Sequence, residues 1–413
     1  MIPIAILGHG VVGSGVAEIC LKNAAGIAAK AGDGIAVRRI LDLRTFPDLP
    51  YADLFTADFE DIRRDDGIRI VVETMGGLHP AYEFVKASLE AGKSVVTSNK
   101  ELVATAGDEL LTVAREHNAN FLFEASVGGG IPLLRPMDQC LAANVITEVS
   151  GILNGTTNFM LTKMFRERMT FDGALALAQS LGYAERDPAA DVEGLDACRK
   201  ISILASLAFG RHVRPETVHT EGITDIAGTD VAYAAAAGGA IRLIGHTARA
   251  ADDRIYCAVF PMIVPADNLL AGVEDVFNAV LVHGDSVDDV VFVGRGAGKL
   301  PTASAVVADV IDAARHLTER KPLWWAPPVP DYVADYREEP WEYLLRFSWE
   351  DGTDAAAEVA RVFGPARIVT LPDAPAREAA FLVPRMPERE IDAKTAQLAG
   401  MTLRRKWRVY SRA

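Results

Sequence analysis

Along residues 1–130, short continuous apolar runs alternate with longer stretches whose apolar positions recur at helical spacing. Ile2–Leu7 is the first run, and Ile35–Leu41, Ile68–Glu73, Ser94–Thr97 and Phe121–Glu124 repeat it. Runs without polar alternation suit strands covered on both faces, and the helices between them supply the crossovers of a parallel sheet. The rhythm changes at Ile146–Leu153, a further strand, after which NGTTNFM leads into several helical stretches. Strands near Val290–Val293 are expected to close this second part, and the amphipathic run Leu300–Leu317 returns the chain to the first sheet. Residues 321–341 hold five prolines and three tryptophans without a helical period, the composition of a linker partly ordered by its aromatics. Beyond it, Tyr343–Trp349 reads as a strand, Ala355–Phe363 as a helix, and Arg367–Thr370 and Ala379–Val383 as strands. Glu388–Leu398 then reads as a helix and Leu403–Tyr410 as a strand, giving the βαββαβ order of a small ferredoxin-like module.

The junction between the first strand and the first helix reads Gly8-His9-Gly10-Val11-Val12-Gly13. In this GxGxxG setting the first glycine makes the tight turn, the second admits a pyrophosphate to the backbone, and the third lets helix pack on strand. Residues 8–13 are therefore a dinucleotide site, with His9 as a loop residue. The fold class is α/β: a Rossmann-type doubly wound parallel sheet over residues 1–132, completed by 295–320. An α+β substrate-binding domain follows over 133–294, then the linker and the module at 342–413. Asp42, after the second strand, stands where a carboxylate accepts hydrogen bonds from a ribose 2′-OH, while Arg44 offers a cation to a 2′-phosphate. With Asp42 in this place the expectation is NAD, or dual use of NAD and NADP. A second glycine cluster, Gly294–Gly298, precedes the returning helix. It reads either as closing over the nicotinamide side, with Gly296 nearest, or as a strand-end turn with Gly298 as cap.

The segment Gly182–Lys200 concentrates Glu185, Asp187, Asp191, Glu193 and Asp196 ahead of Lys200. Gly182 and Asp187-Pro188 give its first half turn chemistry. Its second half opens a helix near Leu195, on which Asp196 and Lys200 share one face at i and i+4. A lysine fixed beside acids suits proton transfer at an oxygen. The plain alternative is a solvated acidic loop with one surface ion pair. Asn154-Gly155-Thr156-Thr157-Asn158 offers hydrogen bonds to a carboxylate or a carboxamide, or else a helix cap at Asn154 or Thr156.

The chain has 413 residues, 50% hydrophobic and 24% charged, enough for two or three domains of an ordinary globular enzyme. A net charge of −14 without a basic stripe excludes nucleic acid as a partner. The one basic run, Arg404–Arg408, alternates like a solvated strand. Cys20, Cys140, Cys198 and Cys257 lack metal-ligand spacing and read as reduced, buried thiols. No signal peptide and no stretch of membrane-spanning length is evident, so a cytoplasmic protein is expected.

GHGVVG at 8–13, SNKELVA at 98–104, NGTTNFML at 154–161 and GYAERDPAADVEGLDACRK at 182–200 together resemble homoserine dehydrogenases, from residue 1 to about 320. The C-terminal pattern resembles the ACT regulatory module many of them carry, although Asp351-Gly352-Thr353-Asp354 replaces the usual acidic-Pro-Gly turn. The resemblance implies NAD(P)-dependent interconversion of L-aspartate 4-semialdehyde and L-homoserine. It makes Lys200 the proton donor and gives Lys100 contacts to substrate and the nicotinamide region. It makes Glu185 the holder of the substrate ammonium, and Asp191 and Asp196 the acids that orient substrate and Lys200. Asn154 and Thr156 would line the substrate cleft, and Arg186 replaces a proline common in relatives. Glu124-Ala125-Ser126-Val127-Gly128-Gly129-Gly130-Ile131 resembles a monovalent-cation loop, in which the Glu124 carboxylate and the carbonyls of Val127, Gly129 and Ile131 would hold sodium. A homodimer paired through the 133–294 domain, which would then be a substrate-binding and dimerisation domain, and threonine as effector of the C-terminal module, are further implications. The competing enzyme is an aspartate-semialdehyde dehydrogenase, which needs a cysteine nucleophile and a phosphate site. The competing non-enzyme is a sensor of nucleotide and amino acid without turnover.

Overall fold

The computed structural model describes residues 1–411. Its first sheet contains β1 (Ile2–Leu7), β2 (Ile35–Leu41), β3 (Phe55–Thr56), β4 (Ile70–Glu73), β5 (Ser94–Thr97) and β6 (Phe121–Leu122). All pairs are parallel, in the order β3-β2-β1-β4-β5-β6. The order reverses between β1 and β4, which opens a crevice at the strands' carboxyl ends. The helix Val11–Lys22 enters from that crevice, and the returning helix Lys299–Arg315 packs against it, with Ala303 beneath Gly15. The sheet core of Ile4, Ile6, Val16, Val72 and Val306 is fully buried.

The second sheet starts with β7 (Ile146–Ile152) and takes in β8 (His219–Thr220), β9 (Gly239–Arg249), β10 (Ile255–Pro265), β11 (Phe277–Gly284) and β12 (Asp288–Arg295). The central strands β9 and β10 were not expected from the sequence. Both are buried nearly end to end, so their apolar runs lack the alternation that marks a half-exposed strand. Conversely, the strand expected through Glu124 stops at Leu122, and Glu124–Ser126 forms a short 3-10 turn.

The C-terminal module supplies β13 (Pro340–Trp349), β14 (Arg367–Val369), β15 (Glu378–Pro387) and β16 (Met401–Val409), with helices Ala355–Phe363 and Glu388–Thr395. The expected βαββαβ order is present, but the module is not a free appendage. Among the described residues one continuous sheet runs β12-β11-β7-β9-β10-β16-β13-β15-β14, with β16 parallel to β10 through Met262 and Ile263. Trp341, Tyr343 and Tyr410 share a core with Ile152, Ile244, Phe260 and Met262. At about 1.5–3 kcal/mol for each large side chain buried, that contact joins two parts into one body. The basic run is a correction of the solvated reading: Arg408 is buried, bonded to Glu388 at 2.5 Å and to Glu221 at 3.0 Å. The linker is packed as its aromatics suggested, with Trp325 buried against Gly107 and a bridge from Ala326 to Arg211. Cys20, Cys198 and Cys257 are buried, whereas Cys140 is exposed.

Candidate active site

The glycine motif forms the turn its spacing requires. Gly8 has φ +91°, and a Cβ on Gly13 would collide with the Gly8 carbonyl. A Cβ on Gly10 would meet nothing within 4 Å, so the backbone there stands open to a ligand at the helix N-terminus. Val11 lies exposed on the first turn and Val12 is half-buried behind it. That cradle fits a dinucleotide pyrophosphate. Asp42 closes its far side by accepting from the His9 backbone N–H at 2.8 Å. Arg44 grips the same carboxylate through Nε at 3.0 Å and Nη2 at 2.9 Å. Those hydrogen bonds, the Arg44 side chain first, hold Asp42 far below the ordinary carboxylate range. His9 is more than a loop residue, because its ring packs among Phe46, Tyr51 and Phe55.

On the other side of the crevice, Glu73 ends β4 with a buried carboxylate. Its oxygens accept from Thr97 Oγ1 at 2.5 Å and from the Met75 N–H at 2.7 Å. Burial pushes its carboxyl upward despite these donors. Asn99 caps the helix Lys100–Glu116 by accepting from Leu102 N–H at 3.1 Å and donates to Gly77 O at 2.6 Å. Glu73, Thr97 and Asn99 thus fix the loop beneath Gly8 and place Lys100 at the first turn of its helix. Sequence reasoning missed all three, although the polar end of an otherwise apolar strand was a signal at Glu73.

Lys200 and Asp196 stand on the helix Leu195–Phe209, as the i, i+4 spacing required. Lys200 Nζ donates to Asp196 Oδ2 at 2.7 Å and to Leu153 O at 2.8 Å. Lys100 Nζ lies 3.1 Å from Asp196 Oδ1, and Asn154 Nδ2 donates to Asp196 Oδ2 at 2.9 Å. Burial alone would raise the Asp196 carboxyl, but the charges of Lys200 and Lys100 outweigh it and hold it well below the usual range. Asn154 Nδ2 also donates to Asp191 Oδ1 at 2.6 Å, and desolvation, with the Asp196 charge adding to it, raises the Asp191 carboxyl. The solvated-loop alternative therefore fails for Asp196 and Lys200, which are both buried.

Both readings of the NGTTN turn hold at once. Asn154 Oδ1 caps the helix Gly155–Glu167 through Thr157 N–H at 2.8 Å while its Nδ2 bridges the two acids. Thr156 Oγ1 donates to Tyr183 O at 2.7 Å and so ties the turn to the Gly182–Lys200 segment. Glu185 is not brought to the cluster: it is exposed, and among the described residues only its backbone carbonyl is engaged, by Gln179 Nε2 at 3.0 Å. Gly296 follows β12 and lies against Asn278, and Gly298 is the cap of the returning helix at φ +121°.

Two family models match the chain: "Homoserine dehydrogenase, NAD binding domain" over residues 8–124 and "Homoserine dehydrogenase" over 132–311. A homoserine dehydrogenase of Pseudomonas aeruginosa is 41% identical over 370 residues, covering 87% of this chain and 85% of its own length. The chain belongs to the homoserine dehydrogenase family. A Synechocystis homoserine dehydrogenase is 45% identical over 323 residues, 77% of this chain and 74% of that protein. The crystal structure of a homoserine dehydrogenase from Thiobacillus denitrificans superposes with a TM-score of 0.85 at 35% identity, covering 99% of this chain and 98% of that one. A hyperthermophilic archaeal homoserine dehydrogenase in complex with NADPH matches at a TM-score of 0.65 and 29% identity, over 76% of this chain and 97% of that one. The chain is thus an NAD(P)-dependent homoserine dehydrogenase, interconverting L-aspartate 4-semialdehyde and L-homoserine. Among the described residues no single helix is long and apolar enough to cross a membrane.

One part of the homoserine dehydrogenase resemblance fits less simply. The Glu124 carboxylate accepts from the N–H groups of Leu133 at 2.5 Å, Leu134 at 2.9 Å and Arg135 at 2.7 Å. Three of its about four lone pairs hold the loop closed, which leaves one, on Oε2, for a cation.

Proposed function

We propose that Lys200 moves the proton at the substrate's C4 oxygen while the rest of the buried cluster holds it in place. When bound, the nicotinamide cofactor supplies the hydride in reduction and accepts it in oxidation. The observation that carries the reading is the commitment of two of the three Lys200 N–H directions, to Asp196 at 2.7 Å and Leu153 O at 2.8 Å. Its third donor has no partner among the described residues and is left for one substrate oxygen. In reduction Lys200 donates a proton as negative charge builds on that oxygen, and in oxidation it takes the proton back. Lys100, with its side chain 39% exposed on the open side of Asp196, contacts the substrate and the nicotinamide region. Asp196 orients both lysines. Asp191 orients the substrate, and the resemblance gives the substrate's ammonium to Glu185, which stands on an exposed loop outside the cluster.

The same reading gives Gly8, Gly10, Val11, Val12 and Gly13 to the pyrophosphate and Gly296 to the nicotinamide side. NAD, or dual use, is favoured, because Asp42 stands at the end of β2 with Leu41 before it. For sodium the fitting donors are the carbonyls of Val127, Gly129 and Ile131, with Glu124 bracing the loop. A cytoplasmic homodimer with threonine as effector completes the proposal. Titration of the full-length chain with threonine tests the last part, and absence of binding at millimolar concentration removes it.

The discriminating variant is Lys200→Arg, which keeps the charge but cannot give up its proton near neutral pH. Oxidation of L-homoserine, followed with NAD and with NADP separately, should be lost with both while dinucleotide binding persists. Retained turnover would make Lys200 an electrostatic group only.

A further inference from the structure

We infer that Asn278 is a positioning residue for Lys200, acting through the carbonyl of Leu153. Asn278 lies in β11, opposite Gly294 of β12 and one residue before the Ala279–Ile152 pair with β7. It therefore sits between the strand end that leads into Asn154 and the strand end that leads into the second glycine cluster. Its Nδ2 donates to Leu153 O at 2.8 Å, the same oxygen that receives Lys200 Nζ at 2.8 Å. A carbonyl has two lone pairs, so Asn278 fixes one and leaves the other aimed at the lysine. With Asp196 as the second anchor, the direction of the remaining Lys200 N–H follows from where Leu153 O is held.

The local glycines are shaped to this amide. A Cβ on Gly296 would overlap Asn278 Nδ2 and stand 2.8 Å from Oδ1, and one on Gly155 would come within 3.3 Å of Oδ1. Glycine at 296 is thus required by Asn278, whatever else the turn touches. Asn278 is 3% exposed, and its Oδ1 has no hydrogen-bond partner among the described residues. A buried amide with one end unsatisfied is a poor purely structural choice, because an apolar residue would fill the space without that cost. Its whole hydrogen-bonding commitment is to the carbonyl that anchors the lysine.

The inference rests on the assignment of proton transfer to Lys200. Asn278→Ala should lower kcat about tenfold, the effect of losing one orienting hydrogen bond, and enlarge the solvent isotope effect on kcat. Dinucleotide affinity should stay within about twofold, and the homoserine KM should change less than kcat. Gly296→Ala should reproduce the kcat loss by displacing the amide. Added to Asn278→Ala it should cost little more, because the space is then open. If Asn278→Ala does not fold, Asn278→Leu, which fills the space without a donor, decides by the same readouts. Unchanged kcat overturns the inference, as does a parallel loss of kcat and dinucleotide affinity with an unchanged isotope effect. Turnover retained by Lys200→Arg would fail the proton-transfer assignment itself. An essential Lys200 beside an indifferent Asn278 removes only the positioning role.

Discussion

Asp196→Asn is the substitution that loads the site most severely for the smallest change in shape. The carboxylate is shared by Lys200 at 2.7 Å, Lys100 at 3.1 Å and Asn154 at 2.9 Å. An amide of equal size leaves no cavity but removes the one charge among the described residues that faces both ammonium groups at these distances. Lys100 is 39% exposed, so water screens it and its share is at most about 1 kcal/mol. Lys200 is different: the side chains of Lys200 and Asp196 are only 10% and 9% exposed, and breaking a buried pair costs about 3–5 kcal/mol. Leu153 O still receives Lys200, which places the expected loss toward the lower end, about 3 kcal/mol. Urea unfolding of the full chain measures it, and homoserine oxidation should fall at least tenfold, since the amide orients the lysine less firmly. A destabilisation below about 1 kcal/mol with near-normal turnover would refute the reasoning. It would mean that the ammonium is held chiefly by the backbone.

The remaining expectations are narrower. Asp42→Ala should raise KM for NAD more than for NADP, and Arg44→Ala, by removing the guanidinium from Asp42 and leaving it only backbone N–H donors, should shift preference further toward NAD; equal effects on both cofactors would place these side chains outside ribose recognition. Because burial raises the Asp191 carboxyl, its charge is lost as pH falls, beginning above the ordinary carboxylate range. Ionising it also costs the fold stability as pH rises from its unfolded to its folded value, the reverse of Asp196. The homoserine KM should therefore climb on mild acidification in the wild type, but not in Asp191→Asn. Arg408→Met takes from Glu388 and Glu221 the partner they meet at 2.5 and 3.0 Å, leaving Lys406 at 2.8 Å from Glu388 and His219 at 2.9 Å from Glu221, and should destabilise the chain by about 3 kcal/mol in urea; a loss under about 1 kcal/mol would show the ion cluster contributes nothing net.

What could be read from the chain was whatever local spacing determines. GxGxxG after an apolar run yielded β1, the turn and the helix Val11–Lys22, and the i, i+4 pair at 196 and 200 yielded one helix face. The helix Ala355–Phe363 and the order of the C-terminal elements followed from period in the same way. The hidden parts are those made by distant segments. β9 and β10 carry no alternation because both faces are covered, and nothing local separates such runs from buried helix. Arg408 looks solvated until the fold brings Glu221 and Glu388 to it. Asn278 is one amide in an apolar strand, and its link to Lys200 passes through a carbonyl remote in sequence. Glu124 shows the opposite limit, for its motif was visible while the three N–H groups that occupy it were not.

The central claim is that Lys200 carries the proton, and the most direct test is kcat for L-homoserine oxidation by Lys200→Ala beside its dinucleotide dissociation constant. General acid–base catalysis contributes about 10²–10⁴-fold, so kcat should drop by at least the lower figure while the dissociation constant stays near the wild-type value. A variant that keeps more than about a tenth of wild-type kcat would contradict the account.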